Sequence, residues 1–265
     1  MTTELAKTRD YLSGQRRNII ARAVLGSLAG AVPVPFLDDM ALETIVGSGY
    51  KQLAAAHHVD LEPDAVKVMV HGKSETPKLF DMAASGIAYR MAGVAARRML
   101  AAIAAINRAR KASRTFVSMT LFEHYCARLH TGLAIDAATA YALREEIARA
   151  IDHTPGALAF HPFRRGLVGA ARAALRAPIE LADLASRGAV RKLLRSGTPD
   201  VHEAEAVDVV ELAVDAELQK KGGFLARTVA SVEAQLSSEV NPFLDAAIAS
   251  FDLRWRARVA AGTDK

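Results

Sequence analysis

Alanine is the commonest residue in this chain, and the β-branched and aromatic runs that favour strands are sparse. Ala loses no side-chain entropy in a helix, and Leu, Arg and Glu are nearly as favourable. Hydrophobic residues make up 51% of the 265 residues, which is enough for a packed core, although aromatic residues make up only 6%. The sequence therefore predicts an all-α fold, a multi-helix bundle of about 8–10 helices.

Prolines, glycines and capping residues divide the chain into predicted helices. A first helix begins near residue 3 and ends before Pro33 and Pro35, because proline cannot continue a helix. A second follows from Asp38 or Asp39 to about His58. The remaining predicted helices cover about 63–72, 78–110 with a continuation to 130, 136–152, two segments flanking Pro178, 201–221, and 224–261 with a kink at Asn241-Pro242.

These segments suggest three regions, which together are predicted to form one continuous helical domain. Residues 1–75 hold the N-terminal helical hairpin, residues 76–197 form a basic central region, and residues 198–265 form the C-terminal helices.

The expected location is the cytoplasm, with peripheral association at the inner membrane as an added expectation. Cys126 is the single cysteine, so no intramolecular disulfide is possible, and residues 1–10 do not resemble a signal peptide. The apolar segment 23–37 is too short to span a bilayer, and 83–106 carries three arginines in its interior.

Charge is distributed unevenly. Residues 84–114 hold seven basic residues and no acidic one, and 157–197 hold eight basic residues against two acidic ones. Residues 200–219 hold seven acidic residues without Lys or Arg. The net charge of +5 hides this layout. One interpretation is that the acidic helix packs on a basic one; the other is that the basic faces bind anionic lipid.

Two groups of residues are candidate membrane or partner contacts. Arg90, Arg97 and Arg108 fall within about 20° of one another on a helix and form one stripe. A second group pairs aromatic rings with arginines at the start of a basic helix, namely Phe160, Phe163, Arg164 and Arg165. Nucleic acid is disfavoured as a partner, because few aromatic residues alternate with the basic ones.

The segment from Ala23 to Asp38 is the most distinctive in the chain and predicts a tight apolar helical hairpin. Gly26 and Gly30 have the G-x-x-x-G spacing that permits close helix approach. The turn and the start of the next helix are assigned to Pro33, Pro35, Phe36, Asp38 and Asp39.

This order of parts resembles the YcjF-like bacterial family of unknown function, over roughly residues 15–75. The matching residues are Pro33, Pro35, Phe36, Asp38, Tyr50 and Pro63. The chain departs from the family pattern at Glu43–Gly49 and at His57-His58, and EcsC-like proteins share a comparable pattern. The resemblance implies a helical protein with a membrane-peripheral or GTPase-partner role.

No motif predicts a catalytic centre, a cofactor or a metal site. Gly72-Lys73-Ser74 lacks the remainder of a P-loop, so a polar turn is expected. Cys126 and His130 lie four residues apart, which supplies half a zinc site at most. Asp39 and Glu43 share a helical face with a capping role expected, although acid–base chemistry at Asp38, Asp39, Glu43 or His124 stays open.

The predicted function is a non-enzymatic helical scaffold or GTPase partner that associates peripherally with membrane. The first alternative is a soluble module for protein–protein interaction or homo-oligomerisation through the Ala-rich helices. The second is an enzyme of unrecognised class.

Overall fold

The prediction of an all-α fold is confirmed: helices make up 83% of the described residues, and strands are almost absent from them. The computed structural model describes residues 12–29, 42–72, 94–154, 156, 162–163, 212, 214–216, 218–220, 222–238 and 242–263. The helices in these ranges are α1 (Arg16–Ala29), a π-helix (Glu43–Gly47), α2 (Ser48–Ala56), α3 (Pro63–His71), α4 (Val94–Arg128), α5 (Ala137–Asp152), α6 (Phe224–Ser238) and α7 (Pro242–Thr263).

Several helix ends lie where they were predicted from the sequence. Pro63 occupies the first turn of α3, where its missing N–H costs nothing. The Asp136 carboxylate accepts a hydrogen bond from the Thr139 backbone N–H at 2.8 Å and caps α5. The long helix α4 does continue to Arg128, where the His130 N–H bonds to the Tyr125 carbonyl and ends it.

The last predicted segment, 224–261, is helical in α6 and α7, which lie on either side of residues 239–241, outside the described ranges. One feature of the chain was not predicted. A two-residue parallel ladder pairs β1 (Asp60–Leu61) with β2 (Ala134–Ile135). So short a ladder has no alternating pattern to recognise, and it forms because α2–α3 and α4–α5 bring the two loops together.

Within the predicted second helix, the described part is irregular, because a π-helix precedes α2. The buried Arg22 of α1 lies against this segment, with 1% of its surface exposed. Its Nη1 donates hydrogen bonds to the Ile45 carbonyl at 3.2 Å and to the Ser48 hydroxyl at 2.5 Å, and its Nη2 donates to Gln52 at 3.1 Å. A π-turn leaves carbonyls without their usual helical partners, and Arg22 satisfies one of them.

Glycines allow this part of the molecule to pack closely. A Cβ on Gly26 would lie 2.8 Å from Cγ2 of Val46, so α1 and the π-helix approach closely at this position. A Cβ on Gly49 would lie 2.3 Å from Cδ of Arg22 and 2.4 Å from Cε of Met119. Gly49 therefore leaves the space that the Arg22 side chain occupies.

Buried side chains from Leu12 to Trp255 form one core. α1 and α2 pack on α4, α3 packs on α5, and α6 packs on α1. The C-terminal helix α7 is joined to α4 by His124 and Asp252, whose Nε2 and Oδ1 atoms are 2.7 Å apart. It is joined to α5 by Arg258, whose Nη1 lies 2.9 Å from Glu145 and 2.8 Å from Glu146.

Among the helices that the structure describes, none has both the length and the apolar character needed to cross a bilayer.

We expect Gly49→Ala to lower the free energy of unfolding by about 1–3 kcal/mol, the usual cost of overpacking a core. Ala is the better helix former by about 1 kcal/mol, but Arg22 is held by three hydrogen bonds and cannot move aside. Gly14→Ala is the control, because a Cβ there meets nothing within 4 Å. Urea denaturation of both variants checks this, and a Gly49→Ala variant as stable as the parent would contradict it.

Candidate anion-binding pocket

Most of the residues predicted to form contacts lie outside the described ranges: Gly30, Pro33, Pro35, Phe36, Asp38, Asp39, Arg90, Phe160, Arg164 and Arg165, together with the acidic segment 200–211 and the basic segment 164–197. Arg97 lies in the first turns of α4, where the backbone alone is described. Arg108 lies further along α4 and is partly exposed.

Phe163, one of the predicted contact residues, lies in the core. Its side chain is 1% exposed, and its ring centroid lies 5.5 Å from that of Phe116 on α4. Burial of a Phe side chain stabilises the fold by about 1.5–3 kcal/mol, and that packing is the role that the structure assigns to it.

A cavity of about 220 Å³ lies where α4 and α5 meet the π-helix, α2 and α3. Each long helix contributes one face to it. Residues 111, 114, 115 and 118 of α4 and residues 144, 147 and 148 of α5 have the spacing of a single helical face. The remaining walls are apolar except for Tyr50, and consist of Leu42, Val46, Met69 and Val70.

Three cationic side chains line the cavity, and no carboxylate among the described residues does. They are Lys111 and Arg114 of α4 and Arg144 of α5. Lys111 is exposed and forms no ion pair with the rest of the described chain. Arg114 is about half exposed, and its Nη2 lies 3.5 Å from Asp152, a contact of the solvated kind that contributes little. The cavity is therefore a site of concentrated positive charge.

Arg144 is the most firmly held of the three. Its Nη1 donates hydrogen bonds to the carbonyls of Val68 and Met69, which belong to the last turn of α3. Gly72, with φ of 77°, follows that turn. It leaves room for the guanidinium, because a Cβ at this position would lie 3.0 Å from Nε of Arg144. Burial, together with the nearby Arg114, lowers the pKa of Arg144, whereas Tyr50 opposes this effect.

Tyr50 supplies a hydroxyl to the same cavity. Its ring packs edge-to-face on Phe122 with a centroid distance of 5.0 Å. Burial raises the pKa of Tyr50 to about 12, so the hydroxyl keeps its proton and remains a hydrogen-bond donor. An anion in this cavity would meet donors on two sides and apolar walls on the others.

The charge pattern of residues 84–114 contains Lys111 and Arg114 but does not distinguish them from the other basic residues of the stretch. Arg144 gives no sequence signal, because it lies in a helix of mixed charge, Ala137–Asp152. Only the packing of α3 on α5 brings it to the cavity.

A larger cavity of about 400 Å³ is lined by residues of α1, of α6 and of the chain before α6. Its described lining combines Arg17 and Lys220 with Asp215, so charges of both signs are present. This mixture favours no ligand class, and the smaller cavity has the clearer chemical character.

Of the residues considered for metal or acid–base chemistry, the structure describes Glu43, His124, Cys126 and His130. His124 pairs with Asp252, and the His71 Nε2 lies 3.4 Å from Glu43. The Tyr125 hydroxyl lies 3.1 Å from Nδ1 of His130, and Cys126 is buried. Within the described ranges, no three His, Cys, Asp or Glu side chains are grouped closely enough to hold a metal ion.

Glu123 of α4 was not recognised from sequence, because only its burial makes it unusual. It is 0% exposed, and neither carboxyl oxygen makes a hydrogen bond within the described part of the chain. Burial raises the pKa of Glu123 to about 8, so the carboxyl is largely neutral at physiological pH.

Comparison with known proteins found no matching family model, and neither a curated protein nor a solved structure matched at a significant level. The resemblance to the YcjF-like family therefore stays a prediction.

We expect the stability of the protein to fall as pH rises from about 5 to 8, because of Glu123. The carboxyl ionises near 4.5 in the unfolded chain and near 8 in the folded one, so between these values the folded state holds the extra proton. Raising the pH then favours unfolding by at most about 1.4 kcal/mol per pH unit.

Urea denaturation at several pH values across this window measures the slope for the parent and for Glu123→Gln, which carries no titratable group. Glu62→Gln is the control, since Glu62 is exposed and makes no side-chain cap for α3. A slope that is unchanged in Glu123→Gln would show that Glu123 is not its source.

Proposed function

We propose that this protein is a non-enzymatic helical scaffold that associates peripherally with anionic membrane surfaces. The observation that supports the proposal is the convergence of Lys111, Arg114 and Arg144 on a cavity to which the described part of the chain contributes no carboxylate. The three positive charges repel one another in the cavity, and an anionic headgroup bound there would reduce that repulsion.

The magnitude of the expected attraction is sufficient for reversible binding. A Lys or Arg near an anionic bilayer contributes about 1 kcal/mol, and the effect is confined to about a Debye length. Arg108, Arg110 and Lys111 extend the positive charge along α4 beside the cavity, and Arg110 and Lys111 are exposed. Several such contributions give a membrane affinity that salt would weaken.

A second candidate function is a protein–protein interaction module, favoured by the outer face of α7. Leu253 is 74% exposed and Val259 is 51% exposed. The exposed Ala249, Ala257 and Ala260 lie on the same side of the helix as Leu253, whereas Val259 lies about 120° away. An exposed apolar surface such as the Leu253 side is of the kind that associates with another protein. The role of GTPase partner is supported by the family resemblance alone.

Vesicle pelleting tests the membrane proposal. We expect the protein to pellet with vesicles containing phosphatidylglycerol at low salt, to stay in solution with pure phosphatidylcholine, and to be released by high salt. Lys111→Glu with Arg114→Glu should weaken binding by at least about tenfold, since each reversal replaces attraction with repulsion.

The matched control is Arg227→Glu with Arg256→Glu, which makes the same change of charge at exposed positions on α6 and α7. A parent protein that remains in the supernatant with anionic vesicles at low salt would refute the proposal. Equal loss of binding in the control pair would show that total charge, and not this cavity, determines binding.

A further inference from the structure

We propose that the cavity binds a phosphomonoester group, as presented by the headgroup of phosphatidic acid. This inference rests on the proposed membrane function and adds to it the chemical identity of the group recognised. Three properties support it: the number and placement of the donors, the size of the cavity and the charge of the ligand.

The donors match what a phosphate monoester accepts. Its three terminal oxygens are strong acceptors. Lys111, Arg114 and Arg144 supply charged N–H groups from two helices, and the Tyr50 hydroxyl supplies a neutral donor. A site with one cation would suit any anion, whereas three cations around one cavity suit a compact anion with several acceptor atoms.

Arg144 is positioned before any ligand arrives. The carbonyls of Val68 and Met69 hold its Nη1, while its Nη2 makes no hydrogen bond within the described ranges. The entropy of ordering this side chain is therefore already lost in the free protein, so binding costs less. The same carbonyls belong to the C-terminus of α3, where the helix dipole is equivalent to about half a negative charge. The three full positive charges of the cavity outweigh it.

The size of the cavity restricts the ligand. Sites that enclose drug-sized molecules measure about 300–1,000 Å³, whereas this cavity measures about 220 Å³. A phosphate group with the start of its ester fits these limits, and the acyl chains of a lipid would stay outside, in the bilayer. The apolar walls formed by Val46, Met69 and Ile147 reduce screening by water and strengthen the charge contacts.

The charge of the ligand separates a monoester from a diester. A phosphomonoester carries close to two negative charges above its second pKa of about 6, whereas the diester of phosphatidylglycerol carries one. With three cations at the cavity, the second charge adds a further favourable interaction. Among the described residues, the charged or titratable groups of the lining are Lys111, Arg114, Arg144 and Tyr50. Asp152 pairs with Arg114, and Glu43 and His71, which follow the lining residues Leu42 and Val70 in sequence, pair with each other.

Calorimetric titration of the full chain with short-chain lipids below their micelle concentration tests the inference. We expect dihexanoyl phosphatidic acid to bind at least about tenfold more tightly than dihexanoyl phosphatidylglycerol at about pH 7.5, and this ratio to shrink at about pH 5. Taking the ratio at each pH removes the part of any protein titration that affects both ligands equally.

Two sets of variants assign the binding to the cavity. Arg144→Gln should weaken phosphatidic acid binding by about tenfold or more, as expected for the loss of a charged hydrogen bond. Because Arg144 also caps α3, Lys111→Gln with Arg114→Gln provides a second test at exposed positions that the fold does not need. Arg227→Gln is the control and should bind as the parent does.

The outcomes separate this inference from the membrane function. Equal binding of the two lipids, or unchanged phosphatidic acid binding in both cavity variants, overturns the phosphomonoester site, whatever the vesicles show. Phosphatidic acid binding without vesicle binding supports the site and overturns the membrane function. Binding of glycerol 3-phosphate or inorganic phosphate as tightly as phosphatidic acid supports the phosphomonoester chemistry and assigns it to a soluble ligand.

Discussion

The arrangement of the other helices depends on the hydrogen bonds of the buried Arg22 guanidinium. A charge removed from water must be compensated by hydrogen bonds, and Arg22 makes them to Ile45, Ser48 and Gln52 on the next two helical segments. These bonds hold α1 against the π-helix and α2 while α1 packs on α4. Gly49 leaves the space that makes this possible. The cavity follows from the same contacts, because Val46 and Tyr50 form its wall on that side.

Helix positions were predictable from sequence to the extent that local chemistry determines them. Pro63, Asp136 and the alanine-rich run through α4 act within a few residues of themselves, and the structure has helices there. The π-helix and the β1–β2 ladder depend on residues far apart in the chain. Arg22 lies 23 residues from Ile45, and β1 lies more than 70 residues from β2, so no local pattern predicts either feature.

The same distinction applies to the candidate site. The basic stretch 84–114 pointed to a positive surface, and two of the cavity cations belong to it. Arg144 and Tyr50 join them through tertiary packing alone. Glu123 was not predictable for a similar reason. The sequence pattern of an amphipathic helix predicts that a glutamate lies at the surface, and only complete burial makes this carboxyl largely neutral.

The central claim is that the α4 face beside the cavity meets an anionic membrane, and site-specific labelling tests it most directly. Cys126 is 7% exposed, and burial, with Glu123 nearby, raises its pKa to about 12, so it would stay unlabelled. In one variant, an environment-sensitive fluorophore is attached to a cysteine that replaces Asn107, one turn before Lys111. In the other, the fluorophore is attached to a cysteine that replaces Ala230 on α6. Both positions are exposed. We expect a blue shift with phosphatidylglycerol vesicles at position 107 and none at 230. No shift at 107, or equal shifts at both positions, would contradict the account.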